Sequence, residues 1–289
     1  MERYSRQLLV LGLELQEKLK ELKVTVVGCG ALGSTLVELL ARLGVGNIKV
    51  MDADIIELSN LHRTHLFTEN DLGKPKALVC KERGEEINKE IKIEAITDII
   101  DEDNVEEVIK GSDYVFDALD NLYYRLLLND ACVKNSIPLI YAGVMGEYAS
   151  IKLILPEKNA CLSCFLNYED EGEENVCETI GTIDTIVSVS ASLQVQLMLN
   201  HLRGETDNFL YYLDFRKMKL DKIKIERNEK CQACSLHEFK FLKKEKKKPN
   251  CGIIRDQERE INTDYIIEKD KNGLTICYKN GKCFKKVSR

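Results

Sequence analysis

The chain has 289 residues, 44% of them hydrophobic, and a formal net charge of −6. Such a length suits one large α/β domain or one domain with an appendage, and the apolar share fills a sizeable core, so the expectation is a globular protein. No uninterrupted apolar run approaches a bilayer span and the opening residues MERYSRQ are charged, which excludes a membrane-spanning reading and predicts a cytoplasmic protein partnered by neither membrane nor nucleic acid.

Apolar residues at helical spacing, among them Leu8, Leu9, Leu15 and Leu19, predict a helix over residues 3–21. The β-branched run 24–27 then reads as a buried strand, and Gly28, Gly30 and Gly33 follow it in G-x-G-x-x-G spacing at the start of a second helix. Glycines there let the backbone turn tightly and approach a phosphate, and the free N–H groups of the helix start attract anionic oxygens. A second strand, 47–51, is closed by Asp52, about 20 residues on, where a carboxylate can accept from ribose hydroxyls. At this point a dinucleotide and ATP both remain open.

Helical spacing returns over 76–88, followed by a strand at 91–96, a short helix at 104–109, a buried strand at 114–119, a helix at 123–134 and a strand at 139–143. Strands alternating with helices predict a doubly wound, mostly parallel sheet with a Rossmann-type nucleotide site. A further strand at 148–156, an acidic surface loop at 167–175, a helix at 186–202 and strands at 209–214 and 219–225 complete a first domain over residues 1–240. The lysine run 243–248 reads as a linker, and residues 249–289 as a small, basic, β-rich tail with a hairpin over 273–287 turning at Asn280 and Gly281. From residue 235 onward, 15 Lys and Arg stand against 8 Asp and Glu, which makes that stretch +7 and leaves −13 for the rest. Such a split marks either an arm that meets an acidic partner or a solvated face, and so small a tail must lean on the main domain or on a partner.

The loops after the strands distinguish between nucleotides. Asn60 and Arg63 lie one turn apart, and Lys76 opens the helix after GKPKAL begins. A pyrophosphate linkage is held largely by a helix terminus, whereas a triphosphate needs cations along its leaving group, which Arg63 and Lys76 would supply. Magnesium favours carboxylate oxygen, and YVFDALDN brings Asp117 and Asp120 to the carboxyl edge of the sheet, with Asp120 as the choice for the metal. Singly each has a plainer role: Asn60 as a turn cap, Arg63 and Lys76 as surface charges, Asp120 as the cap of the helix that carries Arg125. Their common position after strands, on the nucleotide side, favours the collective reading.

Eleven cysteines with no secretion signal predict metal ligation or thiol chemistry rather than a disulfide framework. Cys161, Cys164, Cys231 and Cys234 form two C-x-x-C pairs able to close a tetrahedral structural zinc site. Cys29, Cys80 and Cys132 read as packing residues, and Cys251, Cys277 and Cys283 belong to the tail, where a second metal site would need a fourth ligand, His237 being a candidate. His62 and His65 flank Arg63 and read as structural.

The ordered series RYSRQ, GCGALG, DADIIELSNLHR, GKPK and DALDNLYYR resembles the MoeB/ThiF/HesA family, relatives of the ubiquitin-activating enzymes, over roughly residues 3–234. That resemblance implies ATP-dependent adenylation of the C-terminal glycine of a ubiquitin-like sulfur carrier ending in Gly-Gly, with Mg2+ and structural Zn2+. It implies Asp52 on ribose, Asn60, Arg63 and Lys76 around the phosphates, Asp120 on magnesium and Arg125 supporting the Asp120 loop. Arg6 matches a position that reaches the neighbouring subunit's ATP, so a homodimer is implied. Cys177 stands where the ThiF branch carries a cysteine that joins the carrier through sulfur, in exchange with a persulfide donor, although Glu174 and Glu178 beside it work against a thiolate. Thr64 replaces a usual glutamine, and GTIDT replaces a proline-containing run after Cys177. A nicotinamide-dependent oxidoreductase would use Gly28 to Asp52 but leave Arg63, Lys76 and the cysteine pairs idle; a non-catalytic, zinc-bearing binding subunit is the other alternative.

Overall fold

The computed structural model describes residues 2–168, 181–246, 248, 252–270 and 273–287. Its main sheet is built from β1 (Lys23–Val27), β2 (Asn47–Met51), β3 (Lys92–Ile96), β4 (Tyr114–Asp117), β5 (Leu139–Met145), β6 (Tyr148–Ile154), β7 (Phe209–Asp214) and β8 (Lys219–Lys224), in the order β3-β2-β1-β4-β5-β6-β7-β8. The first five strands run parallel and β6, β7 and β8 antiparallel, so the mostly parallel sheet expected from the alternating pattern is present with an antiparallel extension. Side chains alternate between two faces. Val24 and Val26, Tyr114 and Phe116, and Ile140 and Ala142 join one core, with α2 (Ala31–Leu43), α3 (Lys76–Ile87) and α6 (Asp184–Leu202). Val27, Val115, Leu139 and Tyr141 join the other, with α4 (Val105–Ile109) and α5 (Leu122–Lys134). Among the described residues no helix is long and apolar enough to cross a membrane.

Three expectations change. The helix foreseen over 3–21 is α1 (Ser5–Glu21), broken at Gly12, whose φ of 76° and ψ of 165° leave the helical region. Cys29 and Cys80 are not mere packing residues but are disulfide-bonded, and so are Cys277 and Cys283. The reason is tertiary: α3 crosses the glycine turn and carries Cys80 one turn beyond Lys76 onto Cys29, while Cys277 and Cys283 face each other across a hairpin. Cys132 stays a free, buried thiol. Finally, the lysine run is not a free linker, since Lys244 pairs with Asp103 at 2.6 Å and Lys248 with Glu102.

The tail forms its own antiparallel sheet in the order β10-β11-β12-β9, from β9 (Gly252–Arg255), β10 (Tyr265–Asp270), β11 (Gly273–Tyr278) and β12 (Cys283–Val287). The hairpin foreseen at 273–287 is β11–β12, and Gly281 supplies its left-handed φ of 86°. The sheet leans on the main domain: Ile276, Tyr278 and Phe284 pack with Ala53 and Ile55, in the loop after β2.

That loop is fastened to the segment before α3. Gly73 and Lys76 donate their N–H groups to the carbonyls of Ile56 and Asp54, and Ile56 donates to Lys74, each at 2.9 Å. Asp71 anchors the segment, fully buried, accepting from the Thr68 N–H at 3.1 Å and hydroxyl at 2.9 Å, from Lys74 at 2.9 Å and from Arg83 at 3.1 Å. Burial opposes its charge, but Lys74, Thr68 and Arg83 outweigh burial and hold the carboxyl down at about 2. A carboxyl lowered in the native state adds stability above its unfolded value and loses it as pH falls through the native one. Asp71→Asn should therefore cost about 2 kcal/mol in urea unfolding at pH 7. The deficit should shrink as pH falls from 3.8 through about 2; a deficit independent of pH would assign the loss to packing instead.

Candidate nucleotide site and cysteine cluster

The glycine turn sits at the carboxyl end of β1, between the loops that follow β2 and β4. Gly28 has a φ of 97°, and a Cβ there would lie 2.6 Å from the carbonyl oxygen of Ala118; a Cβ on Gly33 would meet the carbonyl oxygen of Gly28 at 2.0 Å. These two glycines pack backbone against backbone. Gly30 is different: among the described residues nothing lies within 4 Å of its missing side chain. It is the N-cap of α2 and offers no side-chain cap, so the helix start presents free N–H groups to open space, as an anion site requires.

Asp52 accepts the Cys29 N–H at 2.7 Å on one oxygen and the Asp54 N–H at 2.8 Å on the other. Burial pushes its carboxyl up, with Lys76 pulling the other way. Lys76, only 8% exposed, places its Nζ 2.6 Å from Asp54 Oδ2. Burial works against its charge, yet Asp54 and Asp52 outweigh burial and raise its pKa, with a smaller contribution from Asp120. Asp54 is lowered: burial opposes ionisation, and Lys76 and Lys286 overcome it. The result is a charged ammonium, desolvated and ringed by carboxylates, beside the start of α2.

Asp120 is exposed in the turn between β4 and α5. It does not cap α5; Asn121 does, accepting the Tyr123 N–H at 2.9 Å. Asp117 is fully buried against Arg125 at 3.2 Å, which withdraws it from solvent and from any metal. Arg125 also donates to the carbonyls of Ala142, at 2.6 Å, and Leu119, and so braces the turn that carries Asp120.

Gly28, Gly30, Gly33, Asp52, Lys76 and Asp120 are thus brought together. Asn60 is buried, with its Oδ1 accepting the Glu57 N–H at 3.0 Å in a capping box. Arg63 is turned onto its own helical turn, donating to the Ser59 carbonyl and meeting His62 Nε2, both at 2.8 Å. His65 bonds Asp184 at 3.0 Å and Ser188 at 2.9 Å. Arg6 is exposed on α1 and makes no hydrogen bond or ion pair among the described residues. Cys177 lies outside the described residues. Sequence reasoning gave no role to Asp54, although the D-A-D spacing is a local signal for it, and missed Tyr278 and Lys286, which reach the site from the tail: the Tyr278 hydroxyl donates to the Ala53 carbonyl at 2.9 Å, and Lys286 Nζ lies 2.7 Å from Glu57 and 3.5 Å from Asp54.

On the opposite face, the sulfurs of Cys161, Cys164, Cys231 and Cys234 all lie within 4.8 Å of one another, with Cys161–Cys231 at 3.6 Å and Cys164–Cys234 at 3.5 Å. Both loops are tied to α5, through Leu162 N–H on Asn129 at 2.9 Å and Phe241 N–H on Asp130 at 3.1 Å. Among the described residues no fifth donor joins these four converging thiols, which makes a closed donor set of the kind that holds zinc structurally.

A ThiF family model matches residues 4–233. The sulfur carrier protein ThiS adenylyltransferase of Bacillus subtilis is 35% identical over 279 residues, spanning 94% of this chain and 83% of that protein, so its likeness extends beyond the family model into the tail. The SAMP-activating enzyme E1 of Haloferax volcanii is 32% identical over 242 residues, spanning 81% and 88%. Among solved structures, Escherichia coli MccB with ATP superposes with a TM-score of 0.71 at 28% identity, covering 80% of this chain and 74% of MccB.

The two glycine environments make opposite expectations for alanine. Gly33→Ala should lower unfolding free energy by about 3 kcal/mol, because backbone cannot yield to the new methyl. Gly30→Ala should melt as the unmodified chain does yet lose nucleotide affinity in a calorimetric titration with ATP. Equal effects on melting from both would contradict this division of roles.

Proposed function

This chain belongs to the ThiF family, and on that premise we propose that it adenylates the C-terminal glycine carboxylate of a ubiquitin-like sulfur carrier, releasing pyrophosphate and leaving an acyl-adenylate for sulfur transfer. The chain is an adenylyltransferase. The observation that carries the reading is the desolvated Lys76 beside Asp52 and Asp54 at the mouth of the glycine turn, an ammonium that polyphosphate needs and a nicotinamide dinucleotide does not.

In this reading Asp52 accepts from ribose, and the open space over Gly30 admits the phosphates to the N–H groups of α2. Lys76 exchanges Asp54 for a phosphate oxygen, and Arg63 leaves the Ser59 carbonyl to do the same. The carrier's carboxylate oxygen attacks the α-phosphorus, an O–P bond forms, and the bond from that phosphorus to the bridging oxygen breaks as pyrophosphate departs. No general base is required, because a C-terminal carboxylate arrives ionised. Asp120 would hold Mg2+, which would neutralise charge on the departing pyrophosphate. Arg125 keeps the Asp120 turn in place through the Leu119 carbonyl.

The chain works as a homodimer, with Arg6 reaching the ATP of the neighbouring subunit. What supports this is α1 itself, where Leu9, Val10 and Leu13 are 78%, 75% and 57% exposed beside the unengaged Arg6. The four-cysteine set would hold Zn2+, joining the loop after β6 to the segment after β8. The Cys177 thiolate would displace AMP from the acyl-adenylate to form a thioester with the carrier, or would take the outer sulfur of a donor persulfide as the donor's S–S bond breaks and its thiolate leaves.

Pyrophosphate exchange into ATP should require a carrier ending in Gly-Gly, and Asp120→Ala should reduce it by at least about 100-fold with the fold intact. Undiminished exchange would remove Asp120 from magnesium binding, and NAD reduction in its place would overturn the reading. Cys177→Ala should keep exchange and stop sulfur delivery to the carrier. Cys231→Ser should lose the bound metal, about one zinc per chain by elemental analysis, and melt at lower temperature.

A further inference from the structure

The tail sheet is seated against the nucleotide loop and makes two kinds of contact with it. Tyr278, 2% exposed, packs on Phe284 and donates its hydroxyl to the Ala53 carbonyl, in the residue between Asp52 and Asp54. Lys286, in β12, stands between Glu57 at 2.7 Å and Asp54 Oδ2 at 3.5 Å. The same Asp54 oxygen holds Lys76 at 2.6 Å. One largely buried carboxylate therefore faces two ammonium groups, one at the start of α3 and one in the tail sheet.

This doubling has a chemical consequence once ATP arrives. As Lys76 moves toward phosphate its single contact with Asp54 is weakened, and a desolvated carboxylate left short of a cation is costly. Asp52, Asp54, Glu57 and Asp120 would also present an excess of negative charge to a polyanion. A second cation already at Asp54 offsets the first penalty and reduces the second.

We propose that Lys286 is a positioning residue of the nucleotide site: it keeps the Asp54 carboxylate paired when Lys76 turns to the ATP phosphates, which makes the C-terminal sheet a working part of that site. The proposal rests on the adenylylation reading above, in which Lys76 serves phosphate. Lys286 lies beyond residues 4–233, so the role comes from outside the family core. Lys282 supplies the control. It pairs with Asp98 from the turn between β11 and β12 and forms no ion pair with Asp54 or Glu57.

The test uses the full chain, with ATP affinity from calorimetry and KM and kcat from carrier-dependent pyrophosphate exchange. Lys286→Met keeps the aliphatic stem without the charge; it should raise the ATP Kd and KM about 10-fold with kcat changed less than about twofold. Lys286→Arg should restore affinity to within about threefold, and Lys282→Met should leave it unchanged. The proposal is overturned if Lys286→Met binds ATP as the unmodified chain does, or if Lys282→Met weakens ATP equally, since undocking of the sheet would then suffice. An unmodified chain that neither binds ATP nor exchanges pyrophosphate would instead sink the adenylylation reading, and this inference with it.

Discussion

The site depends on one carboxylate that satisfies two loops at once. Asp52 uses one oxygen for the Cys29 N–H and the other for the Asp54 N–H, so the turn after β1 and the loop after β2 are held at hydrogen-bond distance from each other. Both donors would be orphans in a buried setting without it, and an unmet backbone donor there costs more than a typical hydrogen bond gains. Around this tie lie the open space over Gly30, the Asp54–Lys76 pair and the disulfide that joins α3 to the glycine turn.

Most of the fold was legible because its signals are local. β-branched runs marked the central strands, and the glycine spacing marked a turn whose first and third members meet backbone atoms. Gly12 shows where periodicity misleads: the leucine spacing continues across it, but the residue's left-handed φ breaks the helix in two. The contacts that were not legible are long-range. Cys29 and Cys80 are separated by 51 residues, and the pairing depends on how α3 crosses the turn. Lys286 and Asp54 are 232 positions apart by their numbering, and a lysine in a short basic strand carries no mark of the carboxylate it will meet. Asn60 was foreseen both as a cap and as a phosphate ligand, and its Oδ1 is engaged as a cap.

The charge split of the sequence resolves within the molecule. The basic tail meets acids of the main domain, through Lys244 on Asp103, Arg255 on Asp98 and Asp101, Lys282 on Asp98 and Lys286 on Glu57. The exposed Lys244–Asp103 pair contributes little, whereas Asp98 and Asp101 are buried carboxylates for which a paired cation offsets the cost of burial. The apolar contact of Ile276, Tyr278 and Phe284 with Ala53 and Ile55 supplies the non-directional attraction, and the ion pairs set the orientation in which the small sheet settles.

One edge of the main sheet is β8, whose outer row of N–H and C=O groups has no neighbouring strand among the described residues. Its sequence, KLDKIK, places Lys219, Lys222 and Lys224 along six residues. A second copy adding itself there in antiparallel register would crowd ammonium groups across a gap of about 5 Å. Fibre-like growth by strand addition is therefore discouraged at this edge of the main sheet.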